Sequence, residues 1–252
     1  MKYTGRLKKV ALVISNFLIP QQMKAAKKIS KWAMKSLLGF FIVSLLWVLL
    51  YAFLPVPGTP LMLIRYIGED IPINHTWTPI EDITPDMSLA VIAAEDSHFV
   101  QHCGFDWDEI EKARNDAENG KKLRGASTIS QQTAKNVFLW QDRSWLRKGL
   151  EAYFTVLIEL TWSKERIMEV YLNSIEMSEG LYGIAAVAKE NFGKTPAELT
   201  RKECAIIAAT LPNPRRYSSN KPGPYIRKRT QSILQNMDYI QRNGMHLTQS
   251  SE

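Results

Sequence analysis

An eighteen-residue run without a single charge, Leu37 to Leu54, constrains this chain more than any other feature. As a helix rising 1.5 Å per residue it covers roughly 27 Å, close to the hydrocarbon thickness of a bilayer. No charged residue occurs from Ser36 to Ile64. Pro55 and Pro57 end such a helix, because proline lacks an amide donor and clashes with the preceding turn. Trp47 and Tyr51 lie towards one end of the run and Trp32 near the other, where amphipathic rings suit a membrane interface. A buried core helix and a cleaved signal peptide are the rivals. A signal peptide has a shorter apolar part nearer the N-terminus and a cleavage site flanked by small residues. Phe53-Leu54-Pro55-Val56-Pro57 is a poor candidate for that site, so a single membrane anchor is expected.

The charge distribution sets the orientation of that anchor. The net charge is +7, but the first 35 residues hold nine Lys or Arg and no Asp or Glu. The rest of the chain has 23 basic against 25 acidic residues, so the folded part is close to neutral and a nucleic-acid partner is not expected. Cations flanking an anchor stay on the cytoplasmic side. The N-terminus is therefore expected in the cytoplasm, with everything after Pro57 outside. A second apolar stretch, Val10 to Ile19, is too short to span. The expected organisation is a basic tail over 1–35, a transmembrane helix over 36–56, a proline-rich linker over 57–85 and a folded domain over 86–245.

That domain reads as mainly α. Asp86 to Glu95 is dense in small and β-branched apolar residues, as a tightly buried helix requires. Ser144 to Trp162 carries an apolar stripe at helical spacing. Thr195-Pro196-Ala197-Glu198 and Thr200-Arg201-Lys202-Glu203 are capping-box patterns, Ser163 resembles a cap, and Gly193 marks a helix stop. A final helix runs from Tyr225 to Arg242, and no alternating strand of useful length is present. Cys103 and Cys204, about a hundred residues apart, do not make a disulfide framework and are expected unpaired and partly buried.

Four clusters carry candidate chemistry. Glu95 closes an apolar helix and leads the run to Asp106, where partial desolvation would raise its pKa and suit it to proton transfer. His98 and His102 follow it, but the order and the turn at Gly104 do not fit a zinc site. Arg124 to Asn136 contains seven uncharged polar side chains and a single large apolar residue, Ile129. Core packing explains such a helix poorly. Recognition of hydroxyls and phosphate oxygens explains it, and a solvated loop does so equally. Arg147-Lys148-Gly149-Leu150-Glu151 reads by itself as a surface helix with charge pairs one turn apart. Lys164 to Asn173 reads as an ordinary amphipathic helix. Val137-Phe138-Leu139-Trp140 and Trp145-Leu146, beside Arg143, Arg147 and Lys148, fit either a membrane-facing segment or the core.

Taken in order, the stretches EDSHFVQHCGFD, RGASTISQQTAKN, RKGLEA, SKERIMEVYLN and LPNPRRY resemble the glycosyltransferase domain of bacterial peptidoglycan polymerases, from about Trp77 to the last helix. The chain's length points to the monofunctional peptidoglycan transglycosylases. The resemblance implies a lysozyme-like helical fold with a small membrane-facing part. It also implies elongation of glycan chains from lipid II with release of undecaprenyl diphosphate. By the same resemblance Glu95 matches the general base and Glu151 the second glutamate, which organises the donor diphosphate. Ser127, Thr128, Gln131, Gln132, Lys135 and Asn136 match the donor-side motif, and Lys135, Arg124 and Arg147 would offset the diphosphate charge. The implied partners are lipid II, the growing strand, membrane lipid and proteins of the division or elongation machinery. No cofactor is implied beyond a divalent cation such as Mg at the diphosphate.

The chain departs from the pattern after Asn173, where many relatives continue with an aromatic-glycine pair and this one reads Ser174 to Gly180. A cleaving enzyme on the same fold is the rival activity, but it has no diphosphate to hold. An inactive partner protein is a second rival, weakened by the presence of both glutamates. One Ser-x-x-Lys string, Ser218 to Lys221, precedes Pro222-Gly223-Pro224, so the helix that an acylated serine needs is not expected there.

Overall fold

The computed structural model describes residues 19–120, 125 and 127–247. Residues 1–18 of the basic tail, Arg124, and all but the last residue of the stretch Val10 to Ile19 lie outside the described residues. The chain divides into two compact units, residues 1–47 and residues 48–252.

Helix α1 runs from Ile19 to Tyr51, well before the expected start at 36. Its earlier turns are rich in Ala, Lys, Gln and Met, all good helix formers, so the backbone stays helical through the cationic segment. Ser30–Tyr51 is long and apolar enough to cross a membrane. The last turn of α1 belongs to the second unit. There the indole of Trp162 donates to the Val48 carbonyl at 2.9 Å, and Arg166 donates to the Tyr51 carbonyl at 2.9–3.0 Å.

The stretch expected to be a linker contains a helix, α2 (Pro60–Glu69). Pro60 does not break structure here. It occupies the first helical turn, where no amide donor is required, behind the cap Thr59. The short strand β1 (Asn74–His75) then joins β2 (Glu176–Ser178) and β3 (Leu181–Tyr182) in the order β1-β3-β2. Strands of two or three residues leave no alternation to read in a sequence.

The rest is helical: α3 (Pro85–Glu95), α4 (Trp107–Glu118), α5 (Ile129–Phe138), α6 (Trp145–Thr161) and α7 (Lys164–Ser174). These are followed by α8 (Gly183–Val187), α9 (Arg201–Thr210) and α10 (Pro224–Arg242). Every residue of α3 from Met87 to Ala93 is buried, so this helix has no solvent face. It packs against α9 and α10, while α5 packs against α6 and α7. Ser144, Ser163 and Thr200 cap their helices, whereas the capping box at Thr195 opens only one tight turn, Pro196–Glu198. Helix α8 continues as a wider turn over Ala188–Phe192, and Gly193 ends it at φ 64°.

Both cysteines are free. Cys204 is buried, which pushes its thiol up to about 12, but Cys103 is exposed rather than partly buried. Val137, Phe138 and Leu139 belong to the core, with Phe138 stacked on Phe154 at 4.6 Å, while Trp145 is 93% exposed. The segment that fits core or membrane is therefore divided between buried and exposed positions. Ser218 to Lys221 forms a loop in which the serine hydroxyl accepts the Lys221 amide at 3.3 Å.

Candidate active site

Glu95 is the last residue of α3, and the buried run Met87–Ala93 before it carries its carboxylate largely out of water. Its side chain is 14% exposed. Burial raises its pKa, opposed by the Gln132 hydrogen bond and the Arg229 charge and aided by the charge of Asp96. Gln132 Nε2 donates to Glu95 Oε2 at 3.1 Å, and the Arg229 guanidinium stands 3.6 Å from Oε1. Oε1 itself accepts no hydrogen bond among the described residues. One carboxylate oxygen is thus held by Gln132, and the other, buried, faces the Arg229 charge.

Glu95 lines a cavity of ≈ 720 Å³ together with Asp96, His98, Asp106, Ser127, Thr128, Gln132 and Arg229, among others. The histidines have assigned partners: His98 Nδ1 meets Asp106 Oδ2 at 2.8 Å, and His102 Nε2 meets Asp96 Oδ1 at 2.9 Å. Asp96 also accepts the Ile129 amide at 3.0 Å, so it ties the end of α3 to the start of α5.

Thr128 caps α5. Its hydroxyl accepts the Gln131 amide at 3.2 Å and donates to the Gly104 carbonyl at 2.7 Å, and Gln131 Oε1 accepts the Thr128 amide in return. Gly104 has φ 86°, and a Cβ there would meet Thr155 Cγ2 at 2.8 Å, so only glycine fits this approach. Of the donor-side motif, Ser127, Thr128 and Gln132 border the first cavity. Gln132, Lys135 and Asn136 border a second, of ≈ 220 Å³, with Arg65, Gln141, Tyr171 and Glu176. Gln131 borders neither; it is buried in the capping box. Arg124 lies outside the described residues.

Lys135 has its pKa lowered, first by burial and then by Arg147 and Lys148, against the pull of Glu151. Glu151 is only 3% exposed, and it binds Arg147 at 2.6 Å and Lys148 through its other oxygen. The surface-helix reading of this cluster therefore has the spacing right and the solvation wrong. A carboxylate with two cations is drawn inward beside a desolvated lysine, and three cations face one anion. Such an excess attracts a polyanion.

Arg229, Tyr171, Arg65 and Glu176 also border these cavities, and no sequence pattern singles out any of them, Tyr171 lying only inside the SKERIMEVYLN stretch. Arg229 and Tyr171 reach Glu95 and Gln132 from helices that begin about 130 and 70 residues beyond Glu95, and no local pattern marks such a meeting.

A buried helix thus presents a desolvated carboxylate to one cavity of a helical domain, joined through Gln132 to a second cavity bordered by Arg65, Lys135 and Glu176. The chain belongs to the transglycosylase family, which matches residues 64–238, and it is a glycosyltransferase. It is similar to a biosynthetic peptidoglycan transglycosylase of Bacteroides thetaiotaomicron, at 54% identity over 219 residues, 85% of this chain and 88% of the relative. To the one of Bdellovibrio bacteriovorus the identity is 52% over 209 residues, 81% and 84% of the two chains. To the one of Shewanella oneidensis it is 46% over 218 residues, 85% and 94%.

Proposed function

We propose that this protein polymerises peptidoglycan glycan chains from lipid II, with Glu95 as general base. The observation that carries the reading is the Glu95 carboxylate: desolvated, held at Oε2 by Gln132 and without a hydrogen bond at Oε1, on the wall of the larger cavity. Glu95 takes the proton from the 4-hydroxyl of the acceptor N-acetylglucosamine. That oxygen bonds to the anomeric carbon of the donor N-acetylmuramic acid as the bond from that carbon to the diphosphate oxygen breaks. The α linkage becomes β in one displacement, so no enzyme nucleophile is required. The negative charge leaves on undecaprenyl diphosphate, and Lys135, Arg147 and Lys148 offset it.

The names of the relatives support the substrate class. Among the described residues a divalent cation such as Mg would find Glu151, whose oxygens already hold Arg147 and Lys148, and Glu176, which accepts the Gly180 amide and faces Arg65, with no third His, Cys, Asp or Glu grouped with them. That donor set does not make a metal site, and charge neutralisation is assigned to the side-chain cations. Ser127, Thr128 and Asn136 serve the donor as cavity-wall residues, and Gln131 serves it through the cap that orders α5. The apolar helix and the cations ahead of it support a domain on the outer side of the cytoplasmic membrane, where it would meet the lipid-linked substrate, the growing strand and proteins of the elongation or division machinery.

Glu95→Gln tests the assignment. The variant should fold normally and lose polymerisation by about 10²- to 10⁴-fold, the usual worth of a general base. Full activity on lipid II would remove Glu95 from this role.

A further inference from the structure

Gln132 holds the proposed base, and an amide does so with only one of its two ends. Its NH₂ group stabilises a carboxylate, whereas its carbonyl oxygen would repel one. The neighbour that selects the end is Tyr171 on α7. Its hydroxyl donates to Gln132 Oε1 at 3.2 Å, and Gln132 Nε2 then donates to Glu95 Oε2 at 3.1 Å. We propose that Tyr171 is a positioning residue for catalysis, fixing the Gln132 amide so that it presents its donor to Glu95. The proposal rests on the reading of Glu95 as base.

Several features make Tyr171 suited to this. It is fully buried, so a flipped amide would leave its O–H without an acceptor, at the full desolvation cost of that group. Burial, together with the charges of Glu95 and Asp96, holds the phenol well above its ordinary pKa, so it stays a donor across the working range. Asn173, two residues on, pins the same helix end by accepting the Thr78 amide and donating to the Thr78 carbonyl, both at 2.8 Å. The ring therefore has a fixed address.

The groups that face Glu95 are Gln132 from α5, Arg229 from α10 and Asp96 beside it in the chain. Asp96 is engaged by His102 and by the Ile129 amide, and Arg229 stands at ion-pair distance. Gln132 is thus the neighbour whose effect can change sign by rotation of a side chain.

The test measures kcat against pH for the full-length protein in detergent with lipid II. Tyr171→Phe should lower kcat near neutrality about tenfold and move the acid limb to higher pH, because an unsupported Glu95 ionises less readily. Gln132→Met removes the same amide from the other side and should reproduce the shift. In that background Tyr171→Phe should add less than about twofold, since it acts through Gln132. An unshifted profile in Tyr171→Phe, or an effect that adds in full to Gln132→Met, would overturn the proposal. Glu95→Gln run in parallel separates the two readings. Its retained activity would defeat the base assignment, while an inactive Glu95→Gln beside an unshifted Tyr171→Phe would defeat the positioning role alone.

Discussion

At Glu95 the burial that prepares the proposed base also works against the fold. Its folded-state pKa is raised above the ordinary 4.5. Below that ordinary value the group is protonated in both folded and unfolded chains, and no stability is lost. As pH rises through it the unfolded chain ionises first, so stability falls, and above the raised folded pKa the loss is complete. Glu95→Gln should therefore melt higher than the wild type at pH 7, with a gap that closes as pH falls towards 4. Calorimetry of both proteins across that range checks this, and equal melting at pH 7 would contradict it. The carboxylate is legible in the sequence because it ends a run of small apolar residues. Glu151 is only half legible: the spacing to Arg147 and Lys148 is local, but its burial is decided by the packing of α6 against α5. Tyr171 is legible only as part of the SKERIMEVYLN stretch and Arg229 not at all, since contacts across such separations depend on the completed fold.

Among the elements, α5 carries most of the proposed donor side, and its start is fixed from three directions. Thr128 caps it, Gly104 accepts the Thr128 hydroxyl, and Asp96 accepts the Ile129 amide. Thr128→Ala removes two of these ties. It should destabilise the protein by about 1–2 kcal/mol, the usual cost of a lost cap, and should lower turnover because Gln132 and Lys135 sit on the freed turn. Thr128→Ser should recover most of both. Melting temperature and lipid II turnover measured together check this, and unchanged values in Thr128→Ala would mean that the cap is idle. Caps, stripes and stops were the readable part of the fold, as Ser144, Ser163, Thr200 and Gly193 illustrate. Helix α2 was not readable. Its proline looks like a breaker in a string, and only the backbone shows that Pro60 occupies a first turn. The cap at Thr195 misleads in the opposite direction, because the next cap, Thr200, follows too soon for a helix to grow between them.

For the molecule as a whole, the apolar helix long enough to cross a membrane and the helical class were legible in composition, since both follow from long averages rather than from any one contact. The nine cations ahead of the apolar run support our proposal that the C-terminus lies outside the cytoplasm. A periplasm-active reporter fused after Glu252 should work and a cytoplasm-active one should not; the reverse pattern would overturn the orientation. The central claim, that the desolvated carboxylate and the cation-lined cavity together polymerise rather than cleave, is tested most directly by one incubation. Purified full-length protein is mixed with lipid II and the products are sized, with Glu95→Gln alongside. The account predicts lengthening β-linked glycan and free undecaprenyl diphosphate from the wild type and neither from the variant. Fragments released from preformed glycan, or polymer made equally well by Glu95→Gln, would contradict it.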